Sequence, residues 1–183
     1  MTPRRRSPVP LVLAVATTSV LLTSCTTVAG SVPECDPGQR LAVVAQSVPS
    51  ASYVPCIQEL SEEWTSRSFR AGRSGTRFTL VPNRPGSRPV RVEFEPACDV
   101  TGAVATTPRA EGVRTSIRLH AISPRYTGTL TDVFAGGCVT YRFDFARGPH
   151  IALMEQLTST IGLFPRRELG LEIHDQYGVD LDP

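Results

Sequence analysis

Gly137-Cys138-Val139-Thr140-Tyr141-Arg142-Phe143-Asp144-Phe145 is the stretch that decides the fold class. Val139, Tyr141, Phe143 and Phe145 alternate with Thr140, Arg142 and Asp144, a period of two that gives a strand one apolar and one wet face. Such strands belong to antiparallel sheets packed on one side only. Upstream the same period recurs. Phe78 and Leu80 alternate with Arg77 and Thr79, and Val90, Val92 and Phe94 with Arg91, Glu93 and Glu95. Ile117, Leu119 and Ala121 alternate with Ser116, Arg118 and His120, and Thr127 to Phe134 reads as a less regular strand. Phe69 to Ala71 reads as a strand entering the Gly72–Gly75 turn, and Pro82-Asn83-Arg84-Pro85-Gly86 as a connection in a meander. Gly136 and Gly137 mark a tight turn. Trp64, the one tryptophan, opens the strand pattern and is expected in the core.

On both flanks the period becomes helical. Asp36-Pro37-Gly38-Gln39 reads as N-cap, first position and capping-box glutamine of a helix running through Ala45 and ending before Pro49. Pro55 biases Val54 toward extended angles. After Gly148, Ile151, Met154, Leu157 and Ile161 fall on one helical face, and Pro165 opens a second helix carrying Leu169, Ile173 and Tyr177. Helices need a partner for their apolar faces, and the sheet offers one. The expectation is an α+β, two-layer sandwich: an antiparallel sheet of about five to six strands with N- and C-terminal helices packed on one face.

Residues 1–24 read as an export signal: Arg4, Arg5 and Arg6, then an apolar run from Val9 to Leu22. That run spans only about 21 Å as a helix, too short to cross a bilayer permanently. Leu22-Thr23-Ser24-Cys25 resembles the bacterial lipobox. The resemblance implies that Cys25 is lipidated, becomes the mature N-terminus and anchors the protein at the extracytoplasmic face of the cell membrane. The arginine run resembles a twin-arginine signal only loosely, since Ser7 and Pro8 fill the positions that follow, and the general secretory route is expected. Residues 25–34 then form a short tether of at most about 30 Å, and residues 35–183 a single disulfide-bonded α+β domain.

Five cysteines in an oxidising compartment leave one over. Lipidation of Cys25 resolves the parity, leaving Cys35, Cys56, Cys98 and Cys138 for two bridges. Three connectivities are open, and Cys35–Cys56 with Cys98–Cys138 is expected because each pair flanks one local unit. Zinc is disfavoured, since no cysteine pair has CxxC spacing and no histidine lies at helical spacing from a cysteine or another histidine.

The chain has 183 residues, 40% hydrophobic and 20% charged, with a formal net charge of +2. Without the signal the balance is about −1, which disfavours a nucleic-acid binder. Positive charge is nonetheless concentrated: Arg67, Arg70, Arg73, Arg77, Arg84, Arg88 and Arg91 fall in a stretch without one acid. All basic side chains are arginine, whose planar fork suits phosphate and carboxylate. Such a cluster, tethered near a bilayer, suits anionic headgroups or envelope polymers. The competing reading is a solvated sheet face paired with Glu62, Glu63, Glu93, Glu95 or the acidic tail.

That tail, from Glu168 to Pro183, carries Glu168, Glu172, Asp175, Asp180 and Asp182 without an arginine. Asp180-Leu181-Asp182 lacks a full calcium loop. Glu172, His174 and Asp175 do not face one another on a helix, and His120 and His150 stand alone. No GxSxG, GxxxxGK or GxGxxG occurs, so no catalytic, metal or cofactor site is expected. The mature part resembles uncharacterised secreted proteins of high-GC Gram-positive bacteria, through the lysine-free composition and the segments Val48-Pro49-Ser50, Val54-Pro55-Cys56 and Gly137-Cys138-Val139-Thr140-Tyr141. That resemblance implies no activity. The expected function is a non-enzymatic envelope binding module whose partner is an envelope protein or an anionic polymer or lipid. A carrier of a hydrophobic ligand in a sheet–helix cavity is the alternative, and a hydrolase with a dispersed constellation the third.

Overall fold

A computed structural model describes residues 28–146, 148 and 150–182; the segment expected to be an export signal, and Cys25, lie outside the described residues. The chain is α+β, with the sheet dominant. Strands β1 (Val28–Gly30), β3 (Trp64–Gly72), β4 (Gly75–Pro82), β5 (Val90–Glu95), β6 (Val104–Thr106), β7 (Arg114–Ala121), β8 (Tyr126–Phe134) and β9 (Gly137–Phe145) form one antiparallel sheet. Their order is β1-β3-β4-β5-β9-β8-β7-β6. Two meanders, β3-β4-β5 and β6-β7-β8-β9, therefore meet where β5 pairs with β9. A second, two-stranded sheet pairs β2 (Tyr53–Ile57) with β10 (Ile161–Pro165). The helices are α1 (Gln39–Ser47), α2 (His150–Thr160) and α3 (Arg166–Tyr177).

The expected sheet of five to six strands is thus corrected to eight, with the two-stranded sheet as an addition to the helical layer. β10 begins at Ile161, where the helical periodicity predicts a continuing helix face. Gly162 and Pro165 oppose helix there, and a Cβ on Gly162 would lie 2.8 Å from Cys35 Sγ. β1 and β6, only three residues each, were below the length at which alternation is readable. Val28–Gly30 lies within the expected tether and forms a strand, so the sheet begins before Cys35. Two residues, Thr26 and Thr27, lie between Cys25 and Val28, a reach of at most about 11 Å.

Phe78, Leu80, Val92, Phe94, Val139, Tyr141 and Phe145 fill the inner face of the sheet and share one core with Leu41, Val44, Leu157, Leu169 and Ile173 of the helices. Trp64 is buried in it, edge-on to Phe145 with ring centroids 6.3 Å apart. α1 begins later than Asp36: Gly38 is its N-cap, without a side-chain hydrogen bond. In α2 the buried face is Leu153, Leu157 and Thr160, while Ile151 is exposed, so the helix is rotated from the expected face. Tyr177, expected to follow Leu169 and Ile173 inward, is exposed as well.

Both disulfides are present, Cys35–Cys56 with Cα atoms 4.9 Å apart and Cys98–Cys138 with 6.1 Å. Gly136 turns the chain into β9 with φ of 71°, and a Cβ there would strike Ser50 O at 1.7 Å. No described helix is long and apolar enough to cross a membrane.

Candidate functional site on the outer face of the sheet

Alternation sends the polar half of every central strand to the side away from the helices. Pairing register then decides which of these side chains become neighbours. Arg67 pairs with Thr79, Thr79 with Arg91, Arg91 with Arg142, Arg142 with Thr129 and Thr129 with Arg118. This row crosses β3, β4, β5, β9, β8 and β7 at about 4.8 Å per strand. Beside it runs a second row: Arg70, Arg77, Glu93, Thr140, Thr131 and Ser116.

Arg67 and Arg70 share this face only because the strand is irregular. Residues three apart on a regular strand point to opposite sides. The register shifts between Arg67 and Arg70, and Ser68 takes φ of 48°, inserting one extra residue as a bulge. The bulge aims both guanidinium groups outward, and Ser68 Oγ donates to Thr79 Oγ1 at 3.0 Å.

Glu93 is the pivot of the two rows. Its side chain is 8% exposed and receives Arg77 Nη2 at 2.7 Å and Arg142 Nε at 3.0 Å. Burial pushes its carboxyl up, but the hydrogen bond from Arg142 and the charge of Arg77 outweigh that and hold it below the usual carboxylate range. Arg84 pairs with Glu63 at 3.0 Å, and Arg88 with Asp144 at 3.2 Å. Arg125 also reaches Asp144. Arg73 sits in the turn between β3 and β4. Arg67, Arg70, Arg73 and Arg91 make no ion pair among the described residues.

The sequence segment 67–91 thus divides into a row on the sheet and a set held by acids from elsewhere. It also omits members of the row. Arg118, Thr129 and Arg142 come from strands distant in sequence, and only register brings them beside Arg91. The three histidines are dispersed: His174 contacts Asp180 at 2.9 Å, His120 lies 3.4 Å from Thr129 Oγ1, and His150 stacks on Tyr126 at 4.2 Å. No group of three metal-ligating side chains occurs among the described residues.

The inner face carries one polar centre that sequence reading missed. Asp132, fully buried on β8, receives Arg109 Nη1 at 2.6 Å, Thr115 Oγ1 at 2.7 Å and Tyr141 Oη at 3.0 Å. Arg109 Nη1 also donates to Tyr141 Oη at 2.8 Å, and Nη2 donates to the carbonyls of Thr158, at 2.5 Å, and Ile161. Burial pushes the Tyr141 phenol far up, keeping it a neutral donor. An acid between Leu130 and Phe134 on an inward-facing strand position was the available signal. Arg109 and Tyr141 bond each other as well as Asp132, so the buried carboxylate is satisfied within the protein. Comparison with protein-family models, with curated proteins and with solved structures gives no match.

Proposed function

We propose that the chain is a membrane-anchored envelope lipoprotein that acts as a non-enzymatic binding module, holding anionic envelope components on the outer face of its sheet. The observation that carries this reading is the row Arg67-Thr79-Arg91-Arg142-Thr129-Arg118. Like charges directly opposite on neighbouring strands cost stability. Arg91 faces Arg142 across such a pair, with Glu93 meeting only the second. An anion laid along the row removes that repulsion and receives forked donors from several strands.

The N-terminal exit supports the same reading. Ala29 pairs with Arg70, so chain emerging from the lipidated Cys25 enters the sheet beside the cationic rows. The anchor sets the domain at the bilayer, and the edge strand presents these rows nearest to it. Co-sedimentation with anionic vesicles at two salt concentrations tests this, using the mature protein with Cys25→Ser. Binding at low salt and release at high salt is expected; equal recovery with neutral vesicles overturns it.

A second reading, a carrier of a hydrophobic ligand, is favoured by a groove of about 810 Å³ between β7, β8, α2 and β10. Ile117, Tyr126 and Leu130 of the sheet and Ile151 and Met154 of α2 line it. Its volume lies in the range of small-molecule sites. Displacement of a fluorescent fatty acid separates this reading from the first, because salt leaves such binding nearly unchanged.

A further inference from the structure

We propose that the small pocket between β5, β7, β8 and β9, at the end of the arginine row, binds one phosphate group, either as inorganic phosphate or as the phosphomonoester end of a larger envelope molecule. The proposal rests on the anion-binding reading of the outer face and assigns that face a specific seat. The pocket encloses about 140 Å³, room for one tetrahedral oxyanion and little more. Arg118, Thr129, Thr131, Thr140 and Arg142 contribute its donors.

Their arrangement follows from register. Arg142, Thr129 and Arg118 stand side by side on three neighbouring strands, with Thr140 and Thr131 side by side in the next row. The result is a grid of guanidinium and hydroxyl donors at strand spacing. The Cys98–Cys138 bridge fastens the wall that closes the grid at one end.

Arg142 is engaged by Glu93 through Nε, but the other donors are poorly used within the protein. Arg118 Nε is buried and has no hydrogen-bond partner among the described residues. A buried donor left unmade costs free energy, which an acceptor ligand removes. Arg118 Nη2 reaches Asp99 only at 3.4 Å, and Thr129 Oγ1 reaches His120 only at 3.4 Å, both at the long limit of hydrogen bonding. Thr140 Oγ1 donates to a disulfide sulfur, a weak acceptor, at 3.2 Å. An oxyanion supplies the strong acceptors this grid lacks, and an arginine fork with hydroxyls suits phosphate oxygens. Asp99 and Glu95 stand at the walls. Their charge opposes an anion, so the seat depends on the Arg118 and Arg142 guanidinium groups and the threonine hydroxyls outweighing it, while the open row beyond Arg142 accommodates the rest of a polyanion.

The test is titration of the mature protein carrying Cys25→Ser with sodium phosphate, followed by nitrogen-detected NMR of arginine side chains and by calorimetry. A saturable shift of the Arg118 Nε–H resonance is expected, with affinity reduced at least tenfold by Arg118→Gln and by Thr129→Val. Arg118→Lys, which keeps the charge and removes the fork, should lose as much as Arg118→Gln. The pair Arg84→Gln and Arg88→Gln, outside the row and the pocket, should leave phosphate affinity within twofold. An equal response to acetate, or phosphate binding indifferent to both Arg118 variants, overturns the pocket. If anionic vesicles bind in a salt-sensitive manner but phosphate does not shift Arg118, the pocket fails and the cationic face stands. Phosphate binding without vesicle binding gives the reverse. Vesicles of equal charge containing phosphatidic acid or phosphatidylglycerol separate the sources. Tighter binding to phosphatidic acid identifies a headgroup phosphomonoester, and equal binding with phosphate saturation identifies the free ion.

Discussion

Arg109 Nη1 lies 2.6 Å from Asp132 Oδ2, and through this contact a loop before β7 is fastened to the inner face of β8. Asp132 is fully buried and Arg109 nearly so. The same guanidinium caps two carbonyls at the α2–β10 junction, Thr158 and Ile161. One side chain therefore ties the large sheet, the second helix and the small sheet together. It offsets helix-end carbonyls that have no partner within the helix.

Removing Arg109 should be severe for that reason. Arg109→Met leaves Asp132 buried without its counter-charge, which costs roughly 3–5 kcal/mol in comparable sites. Asp132→Asn in the same background removes the stranded charge and should recover part of the loss. Urea unfolding of the single and double variants reads both effects; a loss below about 1 kcal/mol for Arg109→Met would show that the centre is not structural.

Glu93 should contribute stability that depends on pH in one direction. Its folded carboxyl lies below the usual range, because Arg142 and Arg77 outweigh burial. The contribution is therefore fully present above the carboxylate's unfolded pKa and is lost as pH falls through the lower, folded value. Glu93→Gln should be less stable than wild type at neutral pH, and the gap should close on acidification. It should also strengthen anion binding, since Arg77 and Arg142 lose their shared partner. Melting curves between neutral and acidic pH check the first effect, and vesicle binding the second.

For the longer strands of the large sheet, existence and facing are legible in the sequence because alternation is local. Val139-Tyr141-Phe143-Phe145 points inward, and Arg142 outward, as the period of two requires. The disulfide pairs were legible for a related reason, as each closes a local unit of 21 or 40 residues. Register was not legible. Nothing in the local pattern says that Arg91 stands opposite Arg142, 51 positions away in the chain, or that Ser68 inserts a bulge aligning Arg67 with Arg70. The arginine cluster was therefore read as a run in sequence, whereas the surface is a row across strands. Asp132 is not legible as a polar centre because its partner, Arg109, comes from a loop with no periodicity.

The bulge itself predicts a graded response at one residue. Ser68 holds φ of 48°, a left-handed conformation that costs roughly 1–2 kcal/mol for residues with a Cβ. Ser68→Gly relieves that cost but loses the hydrogen bond to Thr79, so stability should change by less than about 1 kcal/mol. Ser68→Val brings a β-branched side chain into the same angles and should destabilise by more than either. If valine is tolerated as well as glycine, the bulge has moved or is absent.

Loss of the Cys98–Cys138 bridge should cost on the order of 4 kcal/mol on a chain-entropy basis, and loss of Cys35–Cys56 about 3 kcal/mol, because the first closes the longer loop. Paired replacement by alanine, followed by urea unfolding under non-reducing conditions, measures each. Equal losses would point to packing around the sulfur atoms as the dominant contribution. Peptide mapping without reductant should recover only these two cross-links.

The functional reading stands on which arginines matter, and the structure separates them into two classes of equal charge. Arg67 and Arg91 belong to the row and make no ion pair among the described residues, whereas Arg84 and Arg88 are held by Glu63 and Asp144. A basic residue near an anionic bilayer contributes about 1 kcal/mol, within a Debye length. Replacing Arg67 and Arg91 with Gln should therefore weaken binding to anionic vesicles by about 2 kcal/mol, roughly thirtyfold. It should leave the melting temperature unchanged or slightly raised, since repulsion across the Arg91–Arg142 pair is relieved. Replacing Arg84 and Arg88 removes the same formal charge but breaks two ion pairs, so vesicle binding should barely change while stability falls by up to about 1 kcal/mol per pair. A general attraction between a basic segment and an acidic surface predicts equal losses of binding in both double variants. Co-sedimentation at low salt, with melting curves on the same preparations, decides between the row and the run.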